Sequence, residues 1–136
     1  MSDLFDDAAL ARIERQIDEW LSHAKANNEL ILAVDRSTDQ EVRWYVRMSG
    51  QEKEFTTVWL TLGQRTLRFE TYVMPAPEEN SQVLYESLLR RNEKLVGAHF
   101  SIGQEDAVFL RGEIPVAALN EKELDRAIGT LYSTVE

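Results

Sequence analysis

Apolar and polar positions follow two periods along the chain, one typical of helices and the other typical of strands. In residues 6–27, 81–92 and 121–136 the apolar positions recur every three or four residues, which predicts three amphipathic helices. The stripe of the first helix comprises Leu10, Ile13, Ile17, Leu21 and Ala24 with Trp20 at its edge, and that of the last comprises Leu124, Ile128, Leu131 and Val135.

Six runs between these helices have the composition of β-strands. The first, Leu30–Asp35, is nearly all apolar, which predicts a strand that is mostly covered or buried on both faces. In the next three runs apolar side chains alternate with polar ones, as in half-buried strands. Short connections, including a predicted turn at Ser37–Gln40, indicate an antiparallel meander. The other five runs are 42–48, 57–62, 66–74, 98–102 and 107–112.

The stretch Thr66–Asn80 joins a strand to a helix through a proline-containing elbow. Pro75 and Pro77 have no N–H to donate to a strand neighbour, so the strand is expected to end near Met74. Pro77 and the glutamates that follow it suit the first turn of the helix 81–92. The side chains that this helix is expected to bury are Val83, Leu84, Leu88 and Leu89.

The last helix has the strongest start signal in the chain. Asn120 is predicted as its N-cap, Glu123 stands at the capping-box position, and Leu119 and Leu124 are placed to form a hydrophobic staple. The resulting order is helix, four strands, helix, two strands, helix. Because the strands occur in consecutive groups that are separated by single helices, the sequence predicts one α+β domain over residues 1–136, with helices on one face of an antiparallel sheet. The other face of that sheet is expected to be relatively open.

Composition narrows the classes of partner. Acidic side chains outnumber Lys and Arg by 24 to 15, giving a net charge of −9, which disfavours binding to a phosphate backbone. No apolar run approaches the roughly 20 residues that span a bilayer. The acidic start, Met1–Asp7, is unlike the positive beginning of a secretory signal. We therefore expect a cytoplasmic protein with no nucleic-acid or membrane partner.

Candidate catalytic and metal-binding groups are sparse. The chain has no cysteine, and neither of its two histidines, His23 and His99, has metal-ligand spacing to another histidine. Ser101 lies in a predicted hairpin and lacks the strand-to-helix context of a serine nucleophile. The acidic pairs fall at helix starts or in a turn, where they suit the helix dipole or solvation. The sequence thus indicates no catalytic residue, no metal site and no cofactor.

The open sheet face carries the most distinctive group of side chains. The alternation of the strands directs three aromatic rings to the same side as three arginines, a composition typical of protein-binding surfaces. An alternative is that a loop, the last helix or a dimer mate covers these rings. The candidate protein-binding residues are Arg43, Tyr45, Arg47, Trp59, Arg68 and Tyr72.

Four short sequence motifs resemble those of a known family. They are Arg43–Arg47 (RWYVR), Phe69–Asn80 (FETYVMPAPEEN), Leu88–Asn92 (LLRRN) and Glu123–Arg126 (ELDR). With the order of elements, they resemble the actinobacterial branch of the YbjN-like family, whose members are often labelled as bacterial sensory transduction regulators. The resemblance runs from about the second strand to the C-terminus. Family members tend to continue past the last helix, whereas this sequence stops at Glu136.

The resemblance implies a fold similar to that of type III secretion chaperones, an α-β(3)-α-β(2)-α two-layer domain that dimerises and binds a partner polypeptide. The extra strand counted here is then either an edge strand or part of an over-divided first hairpin. The resemblance supplies no catalytic residue. We therefore predict a non-enzymatic, chaperone-like or regulatory adaptor that binds another protein as a homodimer. Alternatives are a small-ligand sensor and, less favoured, an uncharacterised enzyme.

Overall fold

A computed structural model describes residues 6–37, 39 and 41–136, and it confirms the predicted order of helices and strands. The acidic segment Met1–Phe5 and two residues of the predicted turn, Thr38 and Gln40, lie outside the described residues. The helices are α1 (Asp7–Asn27), α2 (Ser81–Asn92) and α3 (Glu121–Val135). The strands are β1 (Ile31–Ser37), β2 (Val42–Ser49), β3 (Phe55–Leu62), β4 (Thr66–Met74), β5 (His99–Ile102) and β6 (Val108–Pro115).

The strands form one antiparallel sheet with the order β1-β2-β3-β4-β6-β5. The first four strands are the predicted meander, so β1 is a true edge strand. After α2 the chain enters the far edge as β5 and returns as β6 between β4 and β5. Strand β6 continues past its predicted end at Gly112 because it pairs with β4 along almost its whole length, from Pro115 opposite Thr66 to Val108 opposite Met74.

The hydrophobic core lies between the three helices and one face of the sheet, here called the inner face. Trp44, Val46 and Leu60 are fully buried there, and the predicted stripes of α1 and α3 pack on them. This arrangement confirms the two-layer α+β fold. The helical residues that are themselves buried in this core are Ile17 and Leu21 of α1 and Leu124, Ala127, Ile128, Leu131 and Tyr132 of α3.

Polar contacts fix α1 on the sheet beside the core. The indole Nε1 of Trp44 donates to Asp18 at 2.7 Å, and the guanidinium of Arg36 binds Asp18 at 2.6 Å and Glu14 at 2.8 Å. Because Trp44 is buried, its N–H needs such an acceptor. The contacts join α1 to both β1 and β2.

The expectation that Leu30–Asp35 is mostly covered or buried on both faces is wrong. Leu30 is 36% exposed and Leu32 is 45% exposed. The register against β2 shifts between Ile31 and Ala33, and this irregularity places Leu32 out of the regular alternation at the sheet edge.

Helix α2 also differs from its prediction. It begins at Ser81 after Asn80, whose φ of 57° is left-handed, so Pro77 and the glutamates after it precede the first turn. Leu88 packs against the core, but Val83 and Leu89 are 68% and 69% exposed, so their predicted burial is wrong. The apolar positions of this helix span a wider arc than the side facing the sheet.

The predicted N-cap of α3 is confirmed, whereas the second bond of a capping box, from the backbone N–H of the N-cap residue to the Glu123 side chain, is not. The Asn120 side chain accepts from the backbone N–H of Glu123 at 2.8 Å. The Glu123 carboxylate instead accepts from the guanidinium of Arg126, at 2.7 and 3.0 Å. A capping-box sequence therefore gives a single cap here, because a nearby arginine binds the glutamate.

Candidate protein-binding surface

The candidate surface is the outer face of the sheet, opposite the core. Strand register decides which side chains share it. Tyr45 on β2 pairs with Trp59 on β3, and Trp59 pairs with Glu70 on β4, so these three side chains lie on the same face. Because side chains alternate along a strand, the residues two positions before and after Tyr45 and Glu70 lie on that face as well. The structure thus places all six predicted residues on the outer face: Arg43, Tyr45, Arg47, Trp59, Arg68 and Tyr72.

Three aromatic rings form a cluster on this face. The rings of Trp59 and Tyr72 each have their centroid 5.9 Å from that of Phe109, tilted by 49° and 83°. These are favourable aromatic geometries. Phe109 is only 5% exposed beneath its neighbours, whereas Tyr72 is 44% exposed. We call Trp59, Tyr72 and Phe109 the aromatic cluster.

An ion pair lies beside the aromatic cluster. The Nε of Arg111 donates to the Glu70 carboxylate at 3.1 Å, and the Arg111 guanidinium lies 4.7 Å from the centroid of the Phe109 ring. Glu70 is 6% exposed, so its charge needs this partner. The ring and the ion pair hold one another in place, which gives the outer face a preformed centre.

The predicted arginines surround this centre, and each has a local partner. Arg43 donates to the Thr61 hydroxyl at 3.0 Å and to Glu41 at 3.3 Å. Arg68 lies 3.6 Å from the carboxylate of Glu113. The remaining guanidinium, that of Arg47, lies 3.9 Å from the centroid of the Phe55 ring. Such contacts orient the guanidinium groups without using all of their N–H donors, which can still bind carbonyl or carboxylate groups.

Phe109, Arg111 and Glu70 were not among the residues predicted from the sequence. In the last predicted strand Phe109 and Arg111 alternate with the buried Val108 and Leu110, so the pattern places them on the outer face. It does not say which strand lies next to β6. The pairing of β6 with β4 brings Phe109 opposite Tyr72 and Arg111 opposite Glu70.

The two histidines have different surroundings: His23 lies near the start of α3, and His99 pairs with Arg111 at the β5 side of the outer face. The Nδ1 of His23 is 3.6 Å from the Glu121 carboxylate, with 70% of the histidine side chain exposed. His99 is exposed on β5. Within residues 6–37, 39 and 41–136 there is no group of three or more His, Cys, Asp or Glu side chains suited to a metal ion.

No helix in the described part of the chain combines the length and apolar character needed to cross a membrane.

The fold belongs to the type III secretion chaperone-like class. A similar solved chain comes from the heterodimeric complex ExoU–SpcU of the type III secretion system of Pseudomonas aeruginosa. The two chains are 16% identical, with a TM-score of 0.56 over 87% of this chain and 90% of the other. The predicted fold class is therefore confirmed.

The chain belongs to the YbjN family, described as "Putative bacterial sensory transduction regulator", which it matches over residues 14–136. It is 30% identical over 91 residues to the uncharacterised protein Rv0487 of Mycobacterium tuberculosis, covering 67% of this chain and 50% of that protein. It is 28% identical over 98 residues to the uncharacterised protein ML2442 of Mycobacterium leprae, covering 72% and 53%. The chain thus spans about half the length of these relatives.

Proposed function

We propose that this protein is a non-enzymatic adaptor that binds a segment of another protein on the outer face of its sheet. The observation that carries the proposal is the aromatic cluster surrounded by oriented arginines. Aromatic rings and arginines contribute most of the energy at protein interfaces, and a preformed platform lowers the entropic cost of binding. The fold supports this reading, since a similar chain is part of a heterodimeric complex.

Binding would proceed by burial of apolar partner side chains on the exposed edge of the cluster. Tyr72 offers the most accessible ring, at 44% exposure, and Trp59 lies half-buried beside it. Arg43 and Arg68 both pair with Thr61, two positions along β3 from Trp59, and their guanidinium groups can bind backbone carbonyls or acidic side chains of the partner. Aromatic rings and paired ions suit contact with a polypeptide, so the proposal assigns no reaction to this face.

A second surface supports dimerisation. Helix α2 leaves Leu89 69% exposed, and Ile102 on the neighbouring edge strand β5 is 52% exposed. Between the helix and the strand lies an apolar groove of about 280 Å³, to which Tyr85, Leu88 and Phe100 contribute. A second copy of the chain would bury these side chains through the same patch on both subunits, as two-fold dimers do.

The adaptor role is tested with the variant Trp59→Ala. Tagged unmutated protein and variant are compared for the proteins each retains from a lysate of the source organism, after circular dichroism has shown that both are folded. Val96→Ala is the matched control, because Val96 is 79% exposed and lies outside the sheet. The proposal expects a partner retained by the unmutated protein and the control but lost with Trp59→Ala. An identical set of proteins for all three, or none for any, would refute it.

The homodimer is tested by light scattering, which gives the mass in solution. The proposal expects twice the chain mass of 15.7 kDa for the unmutated protein and a shift toward the single-chain mass for Leu89→Asp. A charge at an exposed helix position costs the monomer little, whereas at an apolar interface it is strongly unfavourable. A monomeric mass for the unmutated protein at all concentrations would remove the dimer from the proposal.

A further inference from the structure

The loop between β2 and β3 holds a carboxylate in a cradle of N–H and O–H donors. The side chain of Glu136 lies there. Its Oε1 accepts from three successive backbone N–H groups, those of Gln51 at 2.6 Å, Glu52 at 2.8 Å and Lys53 at 3.4 Å. Its Oε2 accepts from the hydroxyl of Thr56. Successive N–H groups that converge on one point form the backbone nests that bind anions in many proteins.

The cradle is shaped by the residues on either side of it. Thr56 is 4% exposed, so its hydroxyl is held in one place. A Cβ on Gly50 would lie 1.9 Å from the carbonyl oxygen of Lys53 and 3.1 Å from the Glu136 carboxylate, which leaves no room for a side chain. The bend that aims the three N–H groups inward therefore depends on a glycine at this position.

The carboxylate in the cradle is distant in sequence from the loop. Glu136 follows α3, and the same end of that helix is attached nearby by the Tyr132 hydroxyl, which donates to the Ser49 carbonyl at 2.8 Å. Lys53 points elsewhere, since its ammonium donates to the Val73 carbonyl at 3.1 Å. The loop thus recognises the carboxylate through backbone N–H groups and one hydroxyl.

We propose that the β2–β3 loop is a carboxylate-binding site and that the Glu136 side chain is its internal ligand. The ligand class follows from the donors: they are all N–H or O–H groups, and they converge on the two oxygens of one carboxylate. An acidic side chain of a partner would have to displace Glu136, and doing so would remove one attachment of the end of α3 and leave the bond from Tyr132 to Ser49. This site is separate from the aromatic cluster and does not depend on the proposed adaptor role.

The test replaces the internal ligand and supplies a free one. Amide resonances of Gln51 and Glu52 are followed by NMR in the unmutated protein and in Glu136→Ala during titration with sodium acetate, with sodium chloride as the control for ionic strength. In Glu136→Ala without acetate, both resonances should differ from their positions in the unmutated protein. As acetate is added they should return toward those positions, with saturation. Chloride should not reproduce the return, and the unmutated protein should show no saturable response.

Two further variants keep the test decisive. Glu78→Ala removes an exposed carboxylate elsewhere and should behave like the unmutated protein. Should Glu136→Ala fail to fold, Glu136→Gln keeps the side-chain size, and its weaker amide oxygen should still shift the Gln51 and Glu52 resonances upfield. Absence of a saturable acetate response in a folded Glu136→Ala, or unchanged amide resonances in Glu136→Gln, would overturn the proposal.

Discussion

At the scale of single residues, the core depends on positions where a small side chain is required by close packing. Gly112 lies in the middle of β6, where a Cβ would come within 2.1 Å of the Gly97 carbonyl oxygen and 2.4 Å of the Phe69 ring. Its sequence context suggests only an isolated turn or bulge glycine. The structure shows instead that the Phe69 ring, itself 1% exposed, packs directly over the Gly112 backbone.

Gly112→Ala is expected to lower the free energy of unfolding by about 1–3 kcal/mol, because the added methyl group overpacks this contact. Gly129→Ala is the matched control, since in the described part of the chain no atom other than those of its neighbours and its own helix backbone would lie within 4 Å of the added methyl group, and Gly129 is inside α3. The control should stabilise the protein by about 0.5–1 kcal/mol through higher helix propensity. Urea denaturation measures both. Equal effects of the two substitutions would contradict this account of Gly112.

At the scale of elements, the free edge of the edge strand β5 is hydrogen-bonded by a side chain of α2. The Asn92 amide, at the end of α2, accepts from the Phe100 N–H at 2.7 Å and donates to the Phe100 carbonyl at 3.2 Å. These two bonds imitate those of a neighbouring strand. An edge strand otherwise offers unpaired backbone groups to other chains. Asn92 therefore both attaches α2 to the sheet and covers part of its edge.

Asn92→Ala should lower the free energy of unfolding by about 1–3 kcal/mol, because it leaves both Phe100 backbone groups without this partner. Hydrogen exchange of the Phe100 amide should accelerate in the variant, whereas exchange of the Leu110 amide in the sheet interior should change only with global stability. Gln82→Ala, at an exposed position of the same helix, serves as the control. Unchanged exchange at Phe100 would contradict the proposed edge pairing.

The sequence predicted local elements well and long-range pairing poorly. Short turns fix the register of neighbouring strands, so Tyr45, Trp59 and Tyr72 could be assigned to one face from alternation alone. Nothing local indicates that β6 lies between β4 and β5, so Phe109 and Arg111 were missed. The exposure of Val83 and Leu89 was also unpredictable, because the apolar pattern of α2 does not reveal how much of its surface the sheet can cover.

At the scale of the whole molecule, Glu136 links the last helix to a loop more than eighty positions earlier in the chain. The Thr56 hydroxyl, followed by the backbone N–H groups of the loop, lowers the pKa of Glu136 from 4.5 to about 2 against a smaller opposing effect of burial. These donors favour the ionised form. A carboxyl whose pKa is lower in the folded state stabilises the fold above its ordinary pKa.

Glu136→Gln should therefore be less stable than the unmutated protein at neutral pH. The difference should shrink as the pH falls from 4.5 toward 2, because protonation removes the contribution of the carboxylate in that window. The charged side chains of the loop itself, Glu52, Lys53 and Glu54, are present in both proteins, so their contributions to the difference in stability should largely cancel. Urea denaturation across this range measures the difference. A difference that does not change with pH would contradict the assignment.

The most direct measurement of the proposed adaptor role is site-specific photo-crosslinking from the outer face. A photoreactive phenylalanine analogue is placed at position 72 in one protein and at position 96 in another, and each is irradiated in a lysate of the source organism. Both positions are exposed, and only Tyr72 belongs to the aromatic cluster. We predict a discrete crosslinked protein from position 72, abolished by Trp59→Ala, and none from position 96. The same crosslinked products from both positions, or none from position 72, would contradict the proposal.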